Sequence, residues 1–242
     1  MNIAIITGAS AGLGKEFARQ IDNYHLDELW LVARRKDRLL ELSNHLKTRS
    51  VLIQCDLTES LNILIDKIRT EKPNIRYLVN NAGFGKVGDF KDISLNEQLN
   101  MIDLNVRALV ELTHNCLPFM RKGSTIINIA SIAGFAPMPS FSIYAATKAF
   151  VLSFSNSINE ELKGIHSIAV CPGPVETEFH LRSGRSRHLQ KKAKAKDVVR
   201  LALKDAKKKK NISVYGAKMK AARLLSKLIS RRTASRLVNK FR

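Results

Sequence analysis

Short β-branched runs alternate with longer stretches of helical period along most of this chain. Ile3 to Thr7 is the first such run, suited to a buried strand, and the glycine turn after it opens Lys15 to Asp22, which is patterned to be helical. Runs of the same kind recur at Glu28 to Ala33, Val51 to Cys55, Tyr77 to Val79, Thr125 to Ile129 and Ser167 to Cys171. A seventh, Ile212 to Tyr215, follows the solvated Lys207 to Lys210 turn. Most gaps between them, about 12 to 30 residues long, suit a helix. Strands apolar throughout, alternating with helices, predict a parallel sheet covered on both faces: an α/β, doubly wound, Rossmann-like fold of about seven strands. No repeat or low-complexity linker divides the 242 residues, so one domain is expected. In such sheets ligands bind beyond the carboxyl ends of the strands, which directs attention to the residues just after each run.

Composition narrows the classes. No stretch approaches the roughly 18 to 20 apolar residues of a membrane span, and Met1-Asn2 leads into Ile3 without a basic leader, so a cytoplasmic protein is expected. Cys55, Cys116 and Cys171 lack metal or redox spacing and read as reduced, buried thiols; the six histidines are scattered, and no metal is expected. The net charge of +20 is confined to one end. Residues 1 to 181 hold 19 Lys+Arg against 19 Asp+Glu, whereas residues 182 to 242 hold 22 Lys+Arg against only Asp197 and Asp205. A neutral body therefore carries a basic tail.

After the first strand comes Thr7-Gly8-Ala9-Ser10-Ala11-Gly12-Leu13-Gly14, with three glycines where backbone must turn sharply and meet a pyrophosphate at a helix N-terminus. This segment resembles the TGxxxGxG motif of the classical short-chain dehydrogenase/reductase family, and the chain after Thr177 is more loosely similar to that family's acyl- and steroid-type branch. Other motifs of that family follow in order. Asn80-Asn81-Ala82-Gly83 resembles its NNAG, Asn105 sits in a Leu-Asn-Val context like its active-site asparagine, and Ser131, Tyr144 and Lys148 match its Ser and YxxxK. Pro172-Gly173-Pro174-Val175 and Thr177 resemble the segment that closes over the nicotinamide, and the likeness runs from about Ile3 to Thr177.

The resemblance implies a catalytic set of Asn105, Ser131, Tyr144 and Lys148. At i and i+4, Tyr144 and Lys148 share a helix face, where an ammonium can lower the phenol's pKa and make it a general acid. Ser131, just beyond a strand, would hold the substrate carbonyl oxygen. Asn105, by the resemblance, fixes through its backbone carbonyl a water that links Lys148 to solvent. The implied cofactor pocket comprises Thr7, Gly8, Ser10, Gly12, Leu13, Gly14, Asp56 with Leu57, Asn81, Ala82, Gly83, Tyr144, Lys148, Pro172, Gly173, Val175 and Thr177. Asp56 would accept a hydrogen bond from the adenine amino group.

The choice of cofactor is read from the second strand. NAD sites carry an acid about 20 residues after the glycine turn; here that position is Arg34, followed by Arg35, and guanidinium forks suit a 2′-phosphate. NADP(H) is expected. The expected reaction is reduction of a ketone, 3-oxoacyl or otherwise hydrophobic, with Tyr144 as general acid, or the reverse oxidation. The selecting loop, 178 to 196, holds Arg182, Arg185, Arg187, Lys191, Lys192, Lys194 and Lys196, compatible with an anionic or lipid-like small-molecule substrate or with solubility alone.

A second class of function is an NADPH-binding scaffold contacting membrane or nucleic acid through its tail. The complete Ser131, Tyr144, Lys148 and Asn105 set argues against it, and the lack of aromatics among the tail's lysines argues against nucleic acid. His114 with Cys116, Lys36 to Arg38 and Glu160-Glu161 read as ordinary helix positions. The resemblance implies a homodimer or homotetramer packed through the helix of Tyr144 and Lys148, whose flank supplies Ala145, Ala146, Ala149, Phe150 and Leu152.

Residues 217 to 242 form a basic amphipathic tail of one or two helices, with Leu224, Leu225, Leu228 and Ile229, then Leu237, Val238 and Phe241, at helical spacings. Its cations are Lys218, Lys220, Arg223, Lys227, Arg231, Arg232, Arg236, Lys240 and Arg242. Two readings stand: the stripe docks on anionic lipid, or it packs on the body or a partner subunit.

Overall fold

In the computed structural model, residues 1–179 and 192–240 are described. Arg182, Arg185, Arg187 and Lys191 of the expected substrate loop, and Phe241 and Arg242 of the tail, lie outside them. The strands are β1 (Asn2–Thr7), β2 (Glu28–Ala33), β3 (Arg49–Gln54), β4 (Asn74–Asn80), β5 (Thr125–Ile129), β6 (His166–Val170) and β7 (Ile212–Ser213). They form one sheet in the order β3-β2-β1-β4-β5-β6-β7, and every neighbouring pair is parallel. This is the doubly wound, Rossmann-like arrangement that the alternation of runs predicts.

Helices cover both faces: α1 (Gly12–Ile21), α2 (Lys36–Ser43), α3 (Leu61–Glu71), α4 (Leu95–Ile102), α5 (Ala108–Cys116), α6 (Ser142–Glu161), α7 (Ala195–Lys207), α8 (Ala217–Leu228) and α9 (Arg231–Lys240). The two-residue period of the strands divides the core. Ala4, Ile6, Leu29 and Leu31 meet Phe17 and Ile21 of α1, Leu39 of α2 and Val199 of α7, whereas Ile3, Ile5, Trp30 and Val32 meet Leu64 and Ile68 of α3 and Leu112 of α5. Strands buried on both faces explain why the runs are apolar at every position rather than at alternate ones.

Most polar groups inside this core are paired, although the buried Asn80 Oδ1 accepts no hydrogen bond among the described residues. The Trp30 indole donates to Glu28 at 2.8 Å, and Glu28 meets Arg49 at 3.2 Å. Asn80 donates to Asn128 at 2.8 Å and to Thr113 at 2.9 Å, tying β4 to β5 and α5.

Several boundaries differ from the expected ones. The first helix begins at Gly12, not Lys15, because the glycines themselves form its first turn. The last strand ends at Ser213 instead of Tyr215: Ser213 O accepts the final sheet bond from Cys171, and Gly216, at φ 91°, redirects the chain. The tail is two helices, separated at Ile229 and Ser230, where Ile229 turns extended, and Arg231-Arg232-Thr233 opens the second. On α6, Ala146, Ala149 and Phe150 face solvent, but Ala145 is buried in its own chain against Phe141 and Tyr144, so it is not part of a surface available to a second subunit.

All three cysteines are free and buried. On α5 the exposed His114 and the fully buried Cys116 occupy different sides, and burial pushes the Cys116 thiol up, as helix neighbours would have it rather than a nucleophile and its base.

Candidate active site

The carboxyl ends of β1 to β6 open into a single cleft of about 680 Å³. It lies where the strand order reverses between β1 and β4, the point at which connections leave in opposite directions and part the covering helices.

At one end of the cleft the glycine turn is held by polar contacts from β4. Thr7 Oγ1 accepts from the backbone N–H groups of Asn81 and Ala82, at 3.0 Å each, and the Asn81 amide donates to Thr7 O at 2.9 Å. Gly8 and Gly12 adopt positive φ, +65° and +54°. At Gly14 a Cβ would stand 2.3 Å from Gly8 O, so only glycine allows the turn to close on the helix. The N-cap residue of α1, Ala11, provides no side-chain cap, which leaves the helix N-terminus, with its partial positive charge, facing the cleft beside Ser10, Gly12 and Leu13.

Beside this turn stand the arginines that end β2. Arg34 meets Asp56 at 3.3 Å; Arg35 meets Glu178 at 2.9 Å and Ser10 at 3.4 Å. Burial alone would raise the Asp56 carboxyl, but hydrogen bonds from Thr58 and the Arg34 guanidinium outweigh it and hold the group below its ordinary value. Both guanidinium groups line the cleft with Leu57, each within reach of an anion that replaces its carboxylate.

At the other end, Ser131, Tyr144 and Lys148 line the same cleft. Ser131 follows β5 and caps a 3-10 turn, Ile132–Phe135, its Oγ accepting from Ala133 N at 3.1 Å. Tyr144 and Lys148 sit one turn apart near the start of α6, with Lys148 Nζ 5.7 Å from the centre of the phenol ring. Nζ also donates to Ile129 O at 2.8 Å. Full burial pushes the Lys148 ammonium down to about 8 from its ordinary 10.5.

Asn105 is buried behind the cleft, at the middle of a π-helical segment, Asp103–Arg107, that joins α4 to α5. Its side-chain amide pairs with Phe84 as a strand would: Oδ1 accepts from Phe84 N at 3.0 Å and Nδ2 donates to Phe84 O at 2.9 Å and Thr147 Oγ1 at 3.1 Å. A widened turn of this kind recurs at functional sites. Gly83 fits here because a Cβ would be 2.8 Å from Asn105 Oδ1 and 3.4 Å from Lys148 Nζ.

Of the expected site residues, Ser10, Arg34, Arg35, Ala82, Pro172, Gly173, Val175 and Thr177 line the cleft with those already placed; Thr7, Gly14 and Asn105 support it from behind. The sequence reading missed an apolar set: Phe84, Leu104, Met138, Phe141 and Phe179 also line it. Phe141 stacks on Tyr144 at 4.2 Å and Phe179 approaches it at 5.5 Å. It also missed Gly134, where a Cβ would lie 2.7 Å from Lys148 O, so the turn after Ser131 can press against α6 only through glycine. That glycine, three residues past the serine, is a signal the sequence did carry.

Comparison with known proteins gives a consistent result. The short chain dehydrogenase family profile matches residues 2–187. Sulfoacetaldehyde reductase 2 of Chromohalobacter salexigens is 34% identical over 193 residues, 74% of this chain and 75% of that protein. Among solved structures, a short-chain dehydrogenase from Sphingobium yanoikuyae in complex with NADPH is 32% identical with a TM-score of 0.79, over 88% of this chain and 87% of that one. The bulky-bulky ketone specific alcohol dehydrogenase from Comamonas testosteroni is 30% identical with a TM-score of 0.77, over 96% of each chain.

Proposed function

Because this chain belongs to the short chain dehydrogenase family of oxidoreductases, we propose that it is an NADPH-dependent reductase of hydrophobic ketones, with Tyr144 as the general acid. The observation that carries the reading is the convergence of Ser131, Tyr144 and Lys148 on one cleft with the glycine turn and the arginine pair.

The residues present fit the cofactor. Two glycines at positive φ, an uncapped helix N-terminus and a Gly14 with no room for a Cβ form a cradle for a pyrophosphate. Arg34 and Arg35 supply cations for a 2′-phosphate; of the acids lining this end of the cleft, Asp56 and Glu178 are paired to them and Glu59 is in no ion pair among the described residues. Asn81, Pro172, Gly173, Val175 and Thr177 would hold the rest, and the nicotinamide, when bound, supplies the hydride.

The chain's own part in the reaction is binding and proton transfer. The Ser131 hydroxyl donates to the substrate carbonyl oxygen and fixes it beside the phenol. Tyr144 gives its proton to that oxygen as negative charge develops, and the Lys148 cation stabilises the phenolate left behind. The π-helical turn at Asn105 holds the backbone through which a water resupplies the proton to Lys148. Phe84, Met138, Phe141 and Phe179 exclude bulk water and favour an apolar substituent on either side of the carbonyl, a lining in keeping with the bulky ketones of the Comamonas testosteroni relative.

The test is NADPH consumption against a panel of aryl and alkyl ketones, acyl thioesters and aldehydes. Turnover of at least one hydrophobic ketone is expected, and Tyr144→Phe should lower it by about 10²- to 10⁴-fold while NADPH still binds. A Tyr144→Phe variant as fast as the parent would reject the assignment.

A further inference from the structure

The tail offers an apolar surface that its own body does not use. At about 3.6 residues per turn, Met219, Arg223 and Ser226 share the side of α8 that faces the protein. Met219 packs against Gly173, where a Cβ would lie 2.7 Å from its sulfur, and Arg223 stands near enough to Cys171 that its charge offsets a part of the burial that pushes the thiol up. The opposite side carries Leu224, Leu225 and Leu228, which are 64%, 53% and 83% exposed. The stripe is therefore turned away from the core, against the reading in which it packs on the body.

Its borders are cationic. Lys220 and Lys227 run along one edge and Lys218 along the other, all exposed. On α9 the order is reversed: Ala234 is buried, while Arg231, Arg232 and Arg236 face outward. Among the described residues none of these six cations is engaged in an ion pair, and no acid occurs in the sequence after Asp205.

From this geometry we propose that α8 and α9 dock the protein on an anionic lipid surface, the leucines entering the acyl boundary and the flanking cations resting on headgroup phosphates. An apolar stripe between rows of lysine matches that boundary, where apolar chains lie directly beneath a layer of negative charge. A second copy is a poorer fit, because matching stripes would bring rows of lysine together with no acid in the tail to offset them. A nucleic acid would use the cations but leave the leucines in water. Because α8 rests on the turn after Ser131 and on Gly173, docking sets the cleft's wall about one helix diameter, about 10 Å, from the membrane.

Vesicle co-sedimentation of the full chain decides this. It should pellet with mixed phosphatidylglycerol and phosphatidylcholine vesicles at low salt, and not with phosphatidylcholine alone. Lys218→Gln with Lys220→Gln and Lys227→Gln should weaken partitioning by about a hundredfold, at about 1 kcal/mol per cation. Leu224→Ser with Leu225→Ser and Leu228→Ser should weaken it by at least about tenfold, with melting temperature and turnover of a water-soluble ketone unchanged, since these side chains touch neither core nor cleft. Equal pelleting with neutral vesicles, or leucine substitutions without effect, would overturn the proposal. So would a fall in solution mass of the leucine variant, which would make the stripe a contact between copies, or duplex DNA binding that depends on the same leucines. None of these outcomes bears on the reductase reading, which is tested with a soluble ketone.

Discussion

At the scale of single residues, Lys148 couples chemistry to stability. Its pKa is lower in the folded chain, about 8, than in the unfolded one, 10.5. Between those values the unfolded chain binds more protons, so stability rises with pH; below about 8 both states are charged and the whole burial cost, about 3 kcal/mol, is present. Lys148→Met removes the buried charge but leaves Ile129 O without its donor, at a cost of about 1 to 3 kcal/mol. At pH 7 the variant should melt within a few degrees of the parent or above it, and the parent should gain on it between pH 8 and 10.5. Turnover should fall by about a hundredfold or more, and the parent's own rate should decline as pH rises through about 8. Thermal melts at three pH values and a pH–rate profile check both; a parent rate flat to pH 10 would contradict the role given to the ammonium. The arginines allow a second prediction. Arg34→Asp with Arg35→Ala should raise KM for NADPH by at least about a hundredfold and leave that for NADH within about threefold, because only the former loses charge-assisted contacts. Equal effects on both cofactors would remove the 2′-phosphate assignment. Glu178, the present partner of Arg35, could not be anticipated: the two are 143 positions apart, and neither has a pattern that pairs it with the other.

At the scale of elements, the glycine turn is the part most sensitive to a single methyl group. Gly14→Ala would place a Cβ 2.3 Å from Gly8 O and 2.6 Å from the Asn81 amide, so the turn must open. We expect a loss of about 1 to 3 kcal/mol of stability and at least about tenfold in NADPH affinity, read by melting and by fluorescence titration. Gly216→Ala is the control: its φ of +91° carries strain, but nothing lies within 4 Å, so stability alone should fall. These positions also mark what could be read in the sequence. Glu28–Ala33 and Thr125–Ile129 match their predicted runs because turn residues or charged residues bound them sharply. The π-helical segment could not be foreseen, since Asp-Leu-Asn-Val-Arg continues a helical pattern and the turn is widened where Asn105 pairs with the backbone of Phe84, a tertiary contact. The aromatic lining was missed for a similar reason: Phe84, Phe141 and Phe179 come from three separate segments of the chain and share no period.

For the molecule as a whole, fold class and charge division were legible because each is a sum over many residues, whereas the direction in which the tail's leucines point depends on how α8 docks. The strand order has one more consequence. Of the seven strands of this sheet β1 is synthesised first, yet it occupies the middle of the finished sheet, between β2 and β4. Its pairing with β2, and that of β2 with β3, can be complete once residue 54 has emerged, but its other edge stays open until Asn74–Asn80 arrive, and the side chains of Ile3 and Ile5 have no α5 to cover them until later still. A nascent chain of this protein thus exposes a bare strand edge and an apolar face during the synthesis of α3, the interval in which a chaperone would have the most to hold.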